Sequence, residues 1–218
     1  MIHVIPADEP AGFDQSVRMP GLRAVAELVG EEPKFARTSG RKLAKVADHR
    51  ADIEPRWFPT YWVKAIDDLM VAYQRVCAYS CFRIHPVTGG KSVDHMAPKS
   101  RHWDQVYEWG NYRLASSLLN ARKRDFSDVL DPFEVEDGWF VLELVGFQVR
   151  PAPDLSPEIH DQVVATIDRL GLDDFRSSRA RDAELYWNGE ITFAVLKEES
   201  PFVAAELRRQ GRLNGGDT

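Results

Sequence analysis

The chain has 218 residues, of which 44% are hydrophobic, enough to bury a core and too many for a wholly disordered protein. Its net charge of −6 argues against a protein that coats nucleic acid without specificity, and no stretch approaches the roughly 20 apolar residues that span a membrane. The N-terminal residues lack the basic start and apolar run of a secretory signal, so we expect a cytoplasmic protein without membrane contact.

The N-terminal part predicts short helices. Four apolar residues follow helical spacing within residues 21–48, namely Leu22, Val25, Leu28 and Val29. Thr60 is a suitable N-cap for a second helix that runs to about Tyr73.

The middle of the chain predicts two strands and a helix in that order. Residues 92–95 read as a short strand, and residues 111–114 as a second strand or an entry turn. Ser116 or Ser117 can cap a helix that runs to about Arg124.

The C-terminal part predicts a hairpin followed by helices. Residues 133–135 and 139–145 would pair across the turn at 136–138. Three prolines then indicate a linker: Pro151, Pro153 and Pro157. Helices are predicted from about 157 to 170, from 174 to 187, and from Ser200-Pro201 to Gln210.

Charge is distributed unevenly along the chain. Between Arg75 and Asp125 there are nine basic and four acidic residues, a net of +5, which leaves −11 for the rest. A basic island in an acidic protein is a place where a polyanion can dock, and a solvated helix face is the alternative.

Four polar residues in this basic island have the chemistry that phosphodiester hydrolysis requires. Asp94 and His95 are adjacent at the predicted end of a strand, where neighbouring side chains point to opposite faces. One can therefore face a metal while the other faces a water, and imidazole has a suitable pKa for deprotonating that water. Asn120, on the following helix, can complete a metal site, and Asn111 can orient His95.

The ordered set of Asp94-His95, Pro98-Lys99-Ser100, Asn111 and Asn120-x-x-Lys123 resembles the HNH nuclease family over about residues 77–125. The resemblance implies an α+β fold with a ββα-metal HNH core, embedded in additional helices and a C-terminal β-hairpin. It further implies that Asp94 and Asn120 bind the metal, that His95 is the general base and that Asn111 positions His95.

Six basic residues would contact nucleic acid in this interpretation: Lys99, Arg101, Arg113, Arg122, Lys123 and Arg124. For the last three, a solvated helix end that suits the helix dipole is the alternative. The core would span residues 56–130, between an N-terminal extension (1–55) and a C-terminal hairpin and helical elaboration (131–218), all packed as one body.

The chain departs from the family in its cysteines. Many members hold a structural zinc with two cysteine pairs, but this chain has only Cys77 and Cys81, and four sulfur ligands cannot form. His85 or His102 could add a ligand, yet we expect the two thiols to be small buried apolar groups and no structural zinc to be held.

The resemblance implies an endonuclease that hydrolyses DNA by a single-metal mechanism, with Mg²⁺ as the ion and Mn²⁺ or Ni²⁺ as substitutes. The alternative is a catalytically inactive HNH-derived module that binds nucleic acid without cutting. Residues 167–172, followed by Arg176, Arg179 and Arg181, loosely resemble the HNH partners of ATPase/HNH phage-defence pairs. That similarity implies phage defence and a protein partner such as an ATPase or sensor subunit. Restriction-type and phage packaging nucleases stay open.

Overall fold

The computed structural model describes residues 1–37 and 39–217. Within these residues the chain is a mixed α+β protein with seven α-helices and two small antiparallel sheets. In chain order the elements are α1 (Met19–Val29), α2 (Ile66–Ala72), β1 (Lys91–His95), β2 (Tyr112–Ser116), α3 (Ser117–Lys123), β3 (Phe140–Leu142), β4 (Val149–Pro151), α4 (Pro157–Leu170), α5 (Arg176–Trp187), α6 (Phe193–Glu199) and α7 (Pro201–Arg209). None of the helices in the described ranges is long and apolar enough to cross a membrane.

The predicted N-terminal helices are present, with shifted boundaries. A π-helical stretch, Asp14–Arg18, leads into α1, and α1 ends where Gly30 adopts a left-handed φ of 78°. The second helix does not begin with a side-chain cap at Thr60, because its first residues, Tyr61–Ala65, form a 3-10 turn. The α-helical part therefore starts only at Ile66.

The two predicted central strands pair with each other, and a helix follows directly. β1 and β2 are antiparallel, with Lys91 opposite Ser116 and His95 opposite Tyr112. Ser116 ends β2 and caps α3, since its hydroxyl accepts the backbone N–H of Leu119 at 3.4 Å. Helix α3 packs against both strands, so the end of β1 and the middle of α3 lie close together.

The predicted C-terminal hairpin is wrong in one of its two strands. β3 pairs with β4, and Phe140 lies opposite Pro151 rather than near residues 133–135. Residues 133–135 instead form a turn in which the Asp131 carbonyl accepts the N–H groups of Glu134 and Val135. The true connection is closed by the carboxylate of Glu143, which accepts the N–H of Gly146 at 2.7 Å. Pro151 thus ends a strand instead of opening a linker.

The predicted C-terminal helices are confirmed as α4, α5 and α7. The second begins at Arg176 rather than 174, because Leu172–Phe175 is a 3-10 turn. The sequence reasoning missed α6, a seven-residue helix whose first turn is capped by the Thr192 hydroxyl.

Buried apolar side chains form one cluster that draws on all three predicted parts of the chain. It extends from Met1 and Phe13, through Leu114 and Leu119 in the central unit, to Leu207 in α7. The central strands and α3 therefore share one core with chain segments that precede them and with segments that follow them in the sequence.

Neighbouring leucines in α3 provide a matched test of this packing. Leu119 is fully buried, whereas Leu118 is 50% exposed. We expect Leu119→Ala to lower the free energy of unfolding by about 2–5 kcal/mol through lost burial and a residual cavity. Leu118→Ala should change it by less than about 0.5 kcal/mol. Urea denaturation measures both, and equal effects would contradict the packing described for α3.

Candidate functional site

A cavity of about 380 Å³ opens where the end of β1 meets α3. Five of the predicted site residues line it: Asp94, His95, Lys99, Asn120 and Arg124. The antiparallel pairing and the direct entry into α3 bring these residues together from positions up to 30 apart in the chain.

Asp94 is buried at the back of the cavity. Its Oδ2 accepts the Tyr79 hydroxyl at 2.5 Å and lies 3.2 Å from the Lys123 ammonium. Its Oδ1 has no hydrogen-bond partner among the described residues, and the residue lines the cavity. Burial raises the pKa of the Asp94 carboxyl, while Lys123 and Tyr79 oppose that rise by stabilising the carboxylate.

The structure corrects the expectation for Lys123. Its side chain is fully buried, so it offers no surface to a phosphate. Besides Asp94, its ammonium donates to the carbonyls of His95 at 3.1 Å and Met96 at 3.4 Å. Lys123 therefore joins the end of α3 to the end of β1.

His95 is held as a neutral imidazole. Its Nε2 lies 3.0 Å from the Val106 carbonyl, which can only accept, so Nε2 carries the proton and Nδ1 keeps a lone pair. Burial and, to a smaller extent, the charges of Lys99 and Lys123 together lower the pKa of His95 to about 3. The imidazole is thus unprotonated at neutral pH and can accept a proton.

Asn111 acts on His95 only indirectly. Its Oδ1 accepts the Ala97 N–H at 2.6 Å, and its Nδ2 donates to the carbonyls of Ala97 at 3.1 Å and Gln105 at 2.9 Å. These bonds close the loop that leads to Val106, the partner of His95. The asparagine therefore sets the shape of the loop, and the loop holds the imidazole.

Asn120 is oriented by two hydrogen bonds from its Nδ2, to the Ser92 hydroxyl at 2.6 Å and the Val93 carbonyl at 3.1 Å. Its Oδ1 has no partner among the described residues, like Oδ1 of Asp94. Two uncommitted hard oxygens on one cavity fit Mg²⁺, which usually takes one or two protein ligands and keeps several waters. No group of three or more His, Cys, Asp or Glu within the described ranges could hold a metal, so Asp94 would be the one charged ligand.

Two of the arginines predicted to contact nucleic acid form ion pairs within the protein. Arg113 is buried, pairs with Asp131 at 2.5 Å and stacks over the Phe133 ring at 3.4 Å. Arg122 pairs with Asp174 at 2.7 Å and donates to the Leu170 carbonyl at 2.8 Å. Both arginines join the central unit to the C-terminal part. The prediction of phosphate contact is wrong for Arg113, because its side chain is buried.

The remaining three basic residues are accessible. Lys99 and Arg124 line the cavity, and Arg101 and Arg124 are exposed. Among the described residues, the one hydrogen-bond contact of Arg101 is a long one of 3.5 Å to the Ser127 hydroxyl. These three can reach a bound polyanion.

Tyr79 and Trp62 belong to the site but were missed by the sequence reasoning. Tyr79 bonds Asp94, and the Trp62 ring meets the His95 ring edge-on at 4.9 Å between centroids. In the sequence, Trp62 lies in an aromatic stretch, residues 57–62, and Tyr79 lies between Cys77 and Cys81, so neither position carries a signal that points to the site. Those cysteines, Cys77 and Cys81, are both buried free thiols.

No model of a known protein family matches the chain, and no curated protein matches it.

The Lys123–Asp94 pair has a direct consequence for stability. Lys123→Met should lower the free energy of unfolding by about 3–5 kcal/mol, because it leaves a buried carboxylate without its cation. The double variant Asp94→Asn/Lys123→Met should recover much of that loss. Arg124→Met, at the exposed neighbouring residue, is the control. Denaturant unfolding that shows equal effects for Lys123→Met and Arg124→Met would contradict the pair's role.

The buried imidazole predicts a pH dependence of stability. His95 has a folded pKa of about 3 against 6.5 ordinarily, so the unfolded chain binds the proton more readily. Its stabilising contribution is complete above about pH 6.5 and is lost as the pH falls toward 3. The raised pKa of Asp94 changes the stability in the opposite direction as the pH falls. Wild type must therefore be compared with His95→Gln, which also contains Asp94. In a chelator-containing buffer, the free energy of unfolding of wild type should fall more steeply from about pH 7 to pH 5 than that of His95→Gln. Parallel curves for the two proteins would contradict this.

Proposed function

We propose that this protein is a metal-dependent endonuclease of the HNH type that hydrolyses phosphodiester bonds in DNA. The observation that carries the proposal is the convergence of a neutral His95 with two uncommitted oxygens, on Asp94 and Asn120, at one cavity. The surrounding β1–β2–α3 unit has the order of elements that the ββα-metal motif requires.

Mg²⁺ is the proposed ion, with Mn²⁺ or Ni²⁺ as substitutes, and Asp94 and Asn120 are its proposed protein ligands. A bound divalent cation would offset negative charge on the phosphate oxygens. The Lys123 ammonium and the Tyr79 hydroxyl fix the Asp94 carboxylate through Oδ2, which leaves Oδ1 toward the cavity.

In the proposed reaction His95 Nδ1 accepts a proton from a water whose oxygen attacks phosphorus. The P–O bond to the 3′ oxygen breaks, and that oxygen ends as a hydroxyl after taking a proton from solvent. The products are a 5′-phosphate and a 3′-hydroxyl. The Val106 carbonyl keeps the proton on Nε2, so Nδ1 remains the basic nitrogen throughout.

Lys99, Arg101 and Arg124 are the proposed DNA contacts, because they remain accessible at or near the cavity. The acidic remainder of the chain supports weak intrinsic affinity for DNA and delivery by a protein partner, such as an ATPase or sensor subunit in phage defence. In the segment that suggested such a partner, Arg179 is buried and donates to the carbonyls of Phe147 and Leu172. Its contribution there is to the fold rather than to a docking surface.

Removal of the proposed base tests the chemistry. His95→Ala should abolish the Mg²⁺-dependent nicking of supercoiled plasmid and the cutting of single-stranded circular DNA, a loss of at least about 100-fold. His160→Ala, at a half-exposed histidine on α4, should cut like wild type. Circular dichroism checks that both variants fold.

Unchanged cutting by His95→Ala would overturn the proposal. If the wild type binds DNA but cuts none with Mg²⁺, Mn²⁺ or Ni²⁺, the chain is a binding module that does not cleave. Chelation of divalent ions should stop cutting by wild type, since the proposed mechanism needs the cation.

A further inference from the structure

One wall of the cavity comes from outside the β1–β2–α3 unit. Pro55 and Trp62, from the segment that precedes α2, line the cavity together with Asp94 and His95. The segment begins with a 3-10 turn, Pro55–Trp57. Phe58 follows this turn and is buried, so it anchors the segment to the core. The N-terminal segment is therefore part of the site and not only a support for it.

Trp62 links this wall to the catalytic groups. Its indole meets the His95 ring edge-on, and the Lys99 ammonium lies 4.4 Å from its centroid. No carboxylate of the described residues lies within ion-pair distance of Lys99, so the indole face is the contact that holds this cation. The result is a positive charge in the lining of the cavity, beside the proposed base.

Trp57 lies in the same 3-10 turn as Pro55, and much of its ring is exposed to water. It is 45% exposed and lies two residues after the cavity-lining Pro55, a rise of about 4 Å in a 3-10 turn. The Arg56 guanidinium lies 5.4 Å from its centroid. Single exposed apolar residues are ordinary. Trp57 differs from the half-exposed Trp187 on α5 in its position, because it lies in the same short segment as Pro55 and Trp62, which line the cavity.

We propose that Trp57 stacks on an unpaired nucleobase while Lys99, held on Trp62, contacts an adjacent phosphate, so that single-stranded DNA is preferred over an intact duplex as the substrate. This inference rests on the proposed nuclease function. An exposed indole beside cations matches the combination by which proteins hold single strands, stacking for the base and charge for the backbone. Bases in a duplex are already stacked and paired, and they offer no free face to Trp57.

Binding can be measured without cleavage in the His95→Ala background. The probes are fluorescein-labelled oligothymidylate and the same strand annealed to oligoadenylate, in Mg²⁺ buffer at fixed low salt, followed by fluorescence anisotropy. The single strand should bind more tightly than the duplex. Trp57→Ala should weaken single-strand binding by about 5- to 150-fold, which corresponds to about 1–3 kcal/mol for one stacked base.

Two matched variants separate stacking from a general effect. Trp57→Phe should restore most of the single-strand affinity, because a phenyl ring also stacks, and Trp187→Ala should leave it unchanged. Duplex binding should be the same with and without Trp57. Equal binding of both DNAs by the His95→Ala chain, no binding of either, or a Trp57→Ala effect that is absent or equal on both would overturn the inference.

Failure of this inference is distinguishable from failure of the proposed function. A chain that cuts DNA through His95 but shows no Trp57-dependent preference overturns only the assignment of single-stranded substrate. A chain that binds the single strand through Trp57 but cuts nothing retains the stacking site and overturns the nuclease proposal.

Discussion

The buried ion pair between Lys123 and Asp94 is the interaction on which the rest of the site depends. It joins the last residue of α3 to the penultimate residue of β1, and the same ammonium also bonds the carbonyls of His95 and Met96. Two buried charges are costly to desolvate, so their retention indicates that they hold a particular geometry rather than add stability. What they hold is the Asp94 carboxylate at the cavity, with Oδ2 engaged and Oδ1 without a hydrogen-bond partner among the described residues.

The environment of His95 follows from this arrangement. The strand end that Lys123 secures carries the imidazole into a pocket formed by Trp62, Tyr112 and the Val106 carbonyl. Burial there lowers the pKa of His95, and the carbonyl selects one tautomer. A proton acceptor is thus maintained by packing and a single hydrogen bond, while the loop that supplies the carbonyl is closed by Asn111.

Several basic residues serve the fold rather than a ligand. Arg113 and Arg122 connect the central unit to Asp131 and Asp174 in the acidic C-terminal part. The basic island of the sequence is therefore partly neutralised within the molecule, which leaves Lys99, Arg101 and Arg124 as the accessible cations near the cavity. The charge available to a polyanion is smaller and more localised than the count along the chain suggests.

Local sequence signals were sufficient for the order of strand, strand and helix, because alternation and the Ser116 cap are short-range features. Asp94, His95, Asn111 and Asn120 were predicted from their order along the chain, which resembles a known motif. They could not distinguish a buried lysine from an exposed one at the end of α3, since burial depends on what packs over the helix. They also could not pair β3 with β4, because residues 133–135 show the same pattern of apolar residues as a strand. The contacts of Trp62 and Tyr79 with the site join residues 15 to 33 positions apart, and only the folded chain brings such residues together.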